Sequence, residues 1–340
     1  MSSFISSQDE QFHPGECAVQ ARVLGGAAQR GRMTAIGRMA LRDHMPQQHR
    51  SFFAQLPWLL VGSVDAAGQP WASALAGPPG FVQSPGAQEL QISKLPLETD
   101  PLHANLRVGA PVGFLGLEPH TRRRNRANGV VTSVSPDGFA VQVQMSFGNC
   151  PQYIAARQPQ FVGPAERTLR FIEPAVPEPV LHLDAHALQL MAQADTFFIA
   201  SAAPASMAHA ARGVDMSHRG GKPGFVRVER DAQQQAVLTV PDFSGNFFFN
   251  TLGNLSLEPR AGLLFIDYAS GDLLHLSVRV EIIWDGPQVQ AFAGAQRLLR
   301  MTVTQVHKVS AALPLHWGPA QPSPVLADTG VWPSAPASGQ

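Results

Sequence analysis

From Phe52 onward the apolar residues fall in short runs broken by turn residues, not in long helical stripes. Trp58 to Val64 is a continuous buried-strand run, Asp65-Ala-Ala-Gly68 is a turn, and Pro70 to Leu75 resumes as strand, which predicts a hairpin. Strands are predicted again at Glu89 to Ile92, Pro111 to Leu117, Gly129 to Val134 and Phe139 to Met145. A second set covers Phe197 to Ser201, Gly224 to Val228, Ala236 to Val240, Ala261 to Asp267, Leu273 to Ile283 and Leu298 to His307. Short strands at this rhythm argue for barrels or sandwiches. Helices are predicted over Met33 to Leu41, from near Pro46, and from an Asp184 N-cap to about Ala194. Pro159 to Pro179 reads as a Pro-rich linker, and the Pro, Ala and Ser residues from Pro314 read as a mobile tail.

The two strand sets repeat one another. Ser73-Ala-Leu-Ala-Gly-Pro-Pro-Gly-Phe-Val82 aligns without gaps on Ser217-His-Arg-Gly-Gly-Lys-Pro-Gly-Phe-Val226. Leu95-Pro96 then pairs with Val240-Pro241, Asn105-Leu106 with Asn254-Leu255, and Gly113 to Glu118 with Gly262 to Asp267. A repeat of this length implies two copies of one barrel. The expected division is a helical arm over 1–50, a first barrel over 51–158, a linker and helix over 159–194, a second barrel over 195–313 and a tail over 314–340.

What differs between the copies is chemical. The second carries His218, Arg219, Gly220 and Lys222 where the first has Ala74, Leu75, Ala76 and Pro78. Ser217 to Lys222 thus collects a hydroxyl, an imidazole, two cations and two glycines, Gly220 and Gly221, the ingredients of an anion cradle. Pro-Gly-Phe-Val is common to both copies and belongs to the fold.

Composition narrows the alternatives. The 340 residues are 44% hydrophobic and 15% charged, with 25 basic side chains against 25 acidic, so a general nucleic-acid or membrane-surface role has no support. Any anion must be bound locally. Cys17 and Cys150 are too few for a disulfide framework or a cysteine-based zinc site, and no basic-then-apolar leader or 18-residue apolar run is present. These features fit a cytoplasmic protein. Cys150 reads either as a reactive thiol or, the favoured reading, as a small buried hydrophobe, and His209, His275 and His307 show no metal-ligand spacing.

The second half resembles the pyridoxamine 5′-phosphate oxidase-like FMN-binding split barrels of the long, two-barrel group. The likeness rests on Ser217 to Val226, Pro241-Asp-Phe-x-Gly-Asn246, Asn250-Thr-Leu-Gly-Asn-Leu255 and Pro259 to Asp267. In the first half it rests on Thr121-Arg-Arg-Arg-Asn-Arg126, Asn128-Gly129 and Ser146 to Ile154. The resemblance implies a mainly β fold with peripheral helices, in which two tandem split barrels form an intrachain pseudo-dimer. It implies non-covalent FMN between the barrels and hydride or electron transfer between flavin and a small-molecule substrate. The donor would be a pyridine nucleotide or a separate reductase, and homodimerisation is expected. A non-catalytic flavin-binding protein and a haem-handling split barrel are the alternatives.

Within that reading Ser217, His218, Arg219, Gly220, Gly221 and Lys222 are candidates for the flavin phosphate. Asp242, Phe243, Asn246, Asn250 and Thr251 are candidates for the rest of the cofactor. Asn254 reads as turn chemistry, because Asn105 stands at its counterpart in the copy without an anion site. An extended Arg122 to Arg126 would turn Arg122, Arg124 and Arg126 to one side. The first barrel is therefore expected to lend one or two of these arginines across the interface. No catalytic residue is assigned, and no metal is expected.

Overall fold

The computed structural model describes residues 11–162, 183–207, 209 and 213–332. The first barrel is a seven-stranded antiparallel sheet made of β1 (Trp58–Val64), β2 (Pro70–Ala76), β3 (Val82–Gln83), β4 (Glu89–Ile92), β5 (Pro111–Glu118), β6 (Arg123–Ser135) and β7 (Gly138–Gly148). Its strand order is β2-β1-β5-β6-β7-β4-β3. After β8 (Pro159–Phe161) the second barrel uses β9 (Thr196–Ala202), β10 (Val214–Gly220), β11 (Arg227–Arg230), β12 (Ala236–Asp242), β13 (Arg260–Ile266), β14 (Leu273–Ile283) and β15 (Arg297–Val309). Its order, β10-β9-β13-β14-β15-β12-β11, is that of the first strand for strand. The protein is mainly β, with two tandem split barrels, and neither sheet closes on itself.

Strand register corrects one detail of the repeat. Ile92 pairs with Phe139 as Val240 pairs with Leu299, so Val240 answers Ile92 and not Leu95. β6 also starts at Arg123, well before the expected Gly129. Its first residues are polar because they pair with β5 on one edge and face the other barrel, so no apolar alternation marks them.

Each barrel has its own core, the first around Phe53, Leu59, Phe114 and Val141 and the second around Phe197, Phe265, Leu276 and Met301. A third apolar cluster joins them and includes Trp58, Leu60, Leu115, Phe198, Met216 and Leu264. Side chains of this size stabilise by about 1.5–3 kcal/mol each when buried, so this interface holds the halves as firmly as a core. Its closest contacts are reciprocal. A Cβ on Gly113 would lie 2.1 Å from the Val214 carbonyl oxygen, and one on Gly262 would lie 2.4 Å from that of Pro70. Equivalent residues exchange places across the contact, as in a two-fold dimer.

The N-terminal arm has three helices, α1 (Pro14–Leu24), α2 (Ala27–Ala40) and α3 (Gln47–Gln55). α3 starts where expected, and α2 begins six residues before Met33. The sequence pattern does not reveal α1, because its buried face is Gly15, Glu16, Val19 and Gln20, with little apolar period. Beyond α4 (Pro101–Asn105), α5 (Ala185–Gln193) is capped by Asp184 as expected, its side chain accepting from the Ala187 amide at 2.8 Å. α6 (Asn250–Leu257) answers α4 in the second barrel and packs on α1.

The segment 314–332 is not a mobile tail. β16 (Leu315–Trp317) pairs with β8, and Trp317 meets Trp58 and Tyr268 edge-on at 5.0 and 4.9 Å. Farther on, Trp332 donates to the Phe225 carbonyl at 2.8 Å. Composition suggested mobility, but aromatic side chains pin the segment down. Residues 163–182, most of the expected linker, and 333–340 lie outside the described residues.

Candidate functional site

Two strands, one from each barrel, build the site. Alternation puts Arg124, Arg126 and Asn128 on one face of β6 and Asp215, Ser217 and Arg219 on one face of β10. The two faces meet as a ladder. Asn128 Nδ2 donates to Asp215 Oδ1 at 2.8 Å, and Arg126 Nη2 donates to Ser217 Oγ at 2.5 Å. Arg126 also lies 3.5 Å from the Asp215 carboxylate, and Ser217 shares a 2.8 Å hydrogen bond with Thr251.

The third rung is unlike the other two, because Arg124 and Arg219 both line one cavity and cannot satisfy each other. Arg219 ion-pairs with Asp242, whose other oxygen accepts from Arg297 at 2.8 Å. Arg124 donates its Nε to the Cys150 carbonyl at 2.7 Å, and among the described residues it meets no carboxylate. Burial, reinforced by Arg126 and Arg219, lowers the Arg124 pKa to about 9, which still leaves it charged at neutral pH.

The cavity has a volume of about 120 Å³. Arg126 Nε, Arg219 Nε, His218 Nε2 and Asn149 Nδ2 are buried here without a hydrogen-bond partner. Buried polar atoms of this kind are completed by an ordered water, an ion or a ligand. The backbone is also held in an unusual state. Tyr153, Phe247 and Phe249 line the cavity with φ of 63°, 61° and 61°, a region that bulky side chains seldom occupy outside functional sites.

The structure brings together Arg124, Arg126, Ser217, His218, Arg219, Gly220, Asp242, Phe243, Asn246, Asn250 and Thr251. A Cβ at Gly220 would be 2.0 Å from the Tyr153 carbonyl oxygen, so glycine is needed for the close approach of that loop. Phe243 stacks on Tyr153 at 5.0 Å, one ring from each half. Asn246 donates to Asn149 Oδ1 at 3.0 Å.

Three of the expected residues lie elsewhere. Lys222 Nζ donates to the Ala327 and Thr329 carbonyls at 3.1 and 2.6 Å, holding the C-terminal segment. Arg122 has φ 57° at the entry to β6 and donates to the carbonyls of Ile154, Gln321 and Pro322, so it does not share the face of Arg124. Gly221 is required by the Phe225 ring, 2.3 Å from where its Cβ would be, as Gly77 is by Phe81 at 2.6 Å. Asn254 donates to Ser201 and Asp215, and Asn105 donates likewise to Ser63. Both are built into the fold.

Sequence reasoning gave no role to Glu16, Asn149 and Tyr153, and took Asp215 only as the start of the cradle stretch that runs to Val226. Glu16 reaches the site from the arm, its Oε1 accepting from Asn250 Nδ2 at 2.5 Å while Asn250 Oδ1 faces Arg126 at 3.5 Å. Burial, then the Asp215 charge, raises its carboxyl well above the ordinary 4.5. No spacing could have linked it to Asn250, 234 positions away. Asn149 and Tyr153 lie inside the Ser146 to Ile154 motif, which was the available signal. Cys150 is half-buried at the cavity and not a core residue.

The equivalent place on the other side of the pseudo-dimer is packed shut. Strand register sets Leu273, His275 and Ser277 where β6 has Arg124, Arg126 and Asn128. His275 is fully buried with Nδ1 2.9 Å from the Ala72 carbonyl, and only about 20 Å³ remains beside Ala74, Leu75 and Leu97. Among the described residues no cluster of His, Cys, Asp and Glu could hold a metal ion, and no helix is long and apolar enough to cross a membrane.

No family model and no curated protein matches the chain. Among solved structures it is similar to HupZ from Group A Streptococcus, with 10% identity, 39% of this chain and 98% of that chain covered, and a TM-score of 0.29. A Lactobacillus delbrueckii protein described as a candidate pyridoxamine 5′-phosphate oxidase gives 10%, 40%, 98% and 0.28. An FMN-binding protein from Syntrophomonas wolfei gives 10%, 36%, 82% and 0.24. At such TM-scores the likeness carries no argument for the site, which stands on its own geometry.

Proposed function

We propose that the cavity between the barrels binds FMN and that the protein is an FMN-dependent oxidoreductase acting on a small molecule. The observation that supports this most is the third rung, where Arg124 and Arg219 line one cavity from opposite halves and the Asp242 carboxylate, shared with Arg297, is the only acidic side chain among the described lining residues. A buried cation excess of this kind suits a phosphate, which accepts charge-assisted hydrogen bonds from guanidinium groups.

The donor chemistry of the lining residues suits the phosphate and ribityl chain of the cofactor. Arg124, Arg219 and His218 would hold its phosphate, while Ser217, Thr251, Asn246 and Asn250 offer polar groups for ribityl hydroxyls. Tyr153 and Phe243 supply flat apolar surface beside them. Bound flavin would supply the hydride and electron chemistry, and the chain would supply binding, orientation and shelter from water. Asp242 and Arg297 fix the Arg219 guanidinium, and Asp215 with Ser217 fixes that of Arg126.

The test is the absorption spectrum of the purified protein, followed by extraction of its cofactor and titration with FMN and with riboflavin. Flavin bands and tighter binding of FMN than of riboflavin are expected. A haem spectrum, or equal affinity for the two flavins, would sink the reading. Turnover with reduced nicotinamide then separates an enzyme from a flavin carrier.

A further inference from the structure

His218, like Arg124, lines the cavity outside its ion pairs. It is 7% exposed, and its Nε2 is buried without a partner. The charged groups that act on its ring are guanidiniums from three segments: Arg124 on β6, Arg157 just before β8, and Arg219, its neighbour on β10, whose side chain leaves the strand on the opposite face. The Phe198 ring on β9 meets the His218 ring in a T-shaped contact, centroids 5.7 Å apart. The nearby carboxylates are already committed. Asp195 accepts from both Nη atoms of Arg157 at 3.1 and 2.7 Å, Asp242 serves Arg219 and Arg297, and Asp215 serves Arg126 and Asn128.

We propose that His218 takes up a proton as an oxyanion enters the cavity, so that anion binding here is proton-coupled and strengthens as pH falls. Resting on the phosphate reading of the cavity, the inference adds how occupancy is controlled. In the free protein a charged imidazole would be a further cation in a desolvated cluster that already repels itself. Burial, then Arg124, Arg219 and Arg157, accordingly depress its pKa well below 6.5. A doubly charged oxyanion on Arg124 and Arg219 reverses that field and so favours the protonated ring. Linkage then requires affinity to rise with acidity while the liganded form holds the extra proton. Neither the other two rungs of the ladder, already closed by their own hydrogen bonds, nor the packed-shut counterpart site, where Ala74 replaces the histidine, can do this.

Phosphate monoesters themselves titrate at roughly pH 6, which would blur the effect. Sulfate keeps its charge throughout this range and is the cleaner probe. Binding of sulfate and of FMN to the full chain would be measured calorimetrically between pH 5.5 and 8.5, in buffers of different ionisation enthalpy. Uptake approaching one proton per sulfate is expected at the acid end, with affinity rising by up to about tenfold per pH unit. His218→Asn should bind sulfate with no uptake and a flat pH profile. In the unsubstituted protein the His218 ring resonances should titrate at higher pH with sulfate bound, a readout that needs no variant.

Sulfate binding without proton uptake, or uptake unchanged in His218→Asn, would overturn the proposal even if FMN binds. Coupled sulfate binding without FMN binding would support the proposal and overturn the flavin reading. If neither ligand binds, both fall.

Discussion

Glu16 and Asn250 meet side chain to side chain at 2.5 Å, joining the first helix of the chain to the wall of the cavity. Because the same Asn250 amide turns its oxygen toward Arg126, the N-terminal arm is part of the site's scaffold. Glu16 is buried at 2% exposure, and its carboxyl is held protonated well above its ordinary range.

The sign of the resulting pH dependence is fixed. Protonated Glu16 is free of penalty below the unfolded carboxyl value, and that stability is lost as pH rises through the raised folded value. Glu16→Gln keeps the shape and removes the titration. Denaturant unfolding at several pH values should show the variant gaining on the parent as pH rises from about 4.5. Glu16→Ala leaves Asn250 Nδ2 unpaired and should cost about 1–3 kcal/mol. A parallel pH dependence in parent and Glu16→Gln would refute the assignment.

Loss of the third rung should weaken phosphate-bearing ligands selectively. Arg124→Ala and Arg219→Ala are each expected to lower FMN affinity by roughly 10- to 100-fold, the range of one charge-assisted contact, with riboflavin affinity little changed. Arg122→Ala, which lacks a place in the cavity, should leave both affinities intact. Fluorescence titrations of the three variants check this, and equal losses for FMN and riboflavin would contradict it.

Arg122 and Lys222 should instead show their effects on the C-terminal segment. Lys222→Met removes the donor to the Ala327 and Thr329 carbonyls. Limited proteolysis should then cut within 320–332 faster than in the parent, at unchanged FMN affinity. An unchanged digestion pattern together with weaker FMN binding would return Lys222 to the site.

The reciprocal glycines of the barrel interface should tolerate no side chain. Gly113→Ala and Gly262→Ala each set a methyl group against backbone and are expected to destabilise by about 1–3 kcal/mol. Gly109→Ala, at a loop position with open space but a φ of 86°, tests backbone strain without that clash. Thermal unfolding compares the three.

Much of the fold was legible because the repeat doubles every signal. Pro-Gly-Phe-Val, Asn105 with Asn254, and Gly113 with Gly262 recur in register, and residues kept in both copies turned out to serve packing. The cavity was legible where the copies differ, since His218 and Arg219 both line it. It was misread at Lys222, whose partner is a segment about 105 residues downstream that composition marked as mobile. Arg122 was misjudged because strand alternation was extended one residue past a left-handed turn. Glu16 was invisible, since a buried polar contact to a distant helix leaves no periodic trace.

Fusing the two barrels also changes the thermodynamics of the cavity they share. Arg124 and Arg219 are carried by one polypeptide, so their encounter is intramolecular and their effective concentration is set by the packed interface. Dilution cannot separate them, as it can when each half of a site belongs to a different subunit. Ligand affinity at this cavity should therefore be independent of protein concentration, however the whole chain associates.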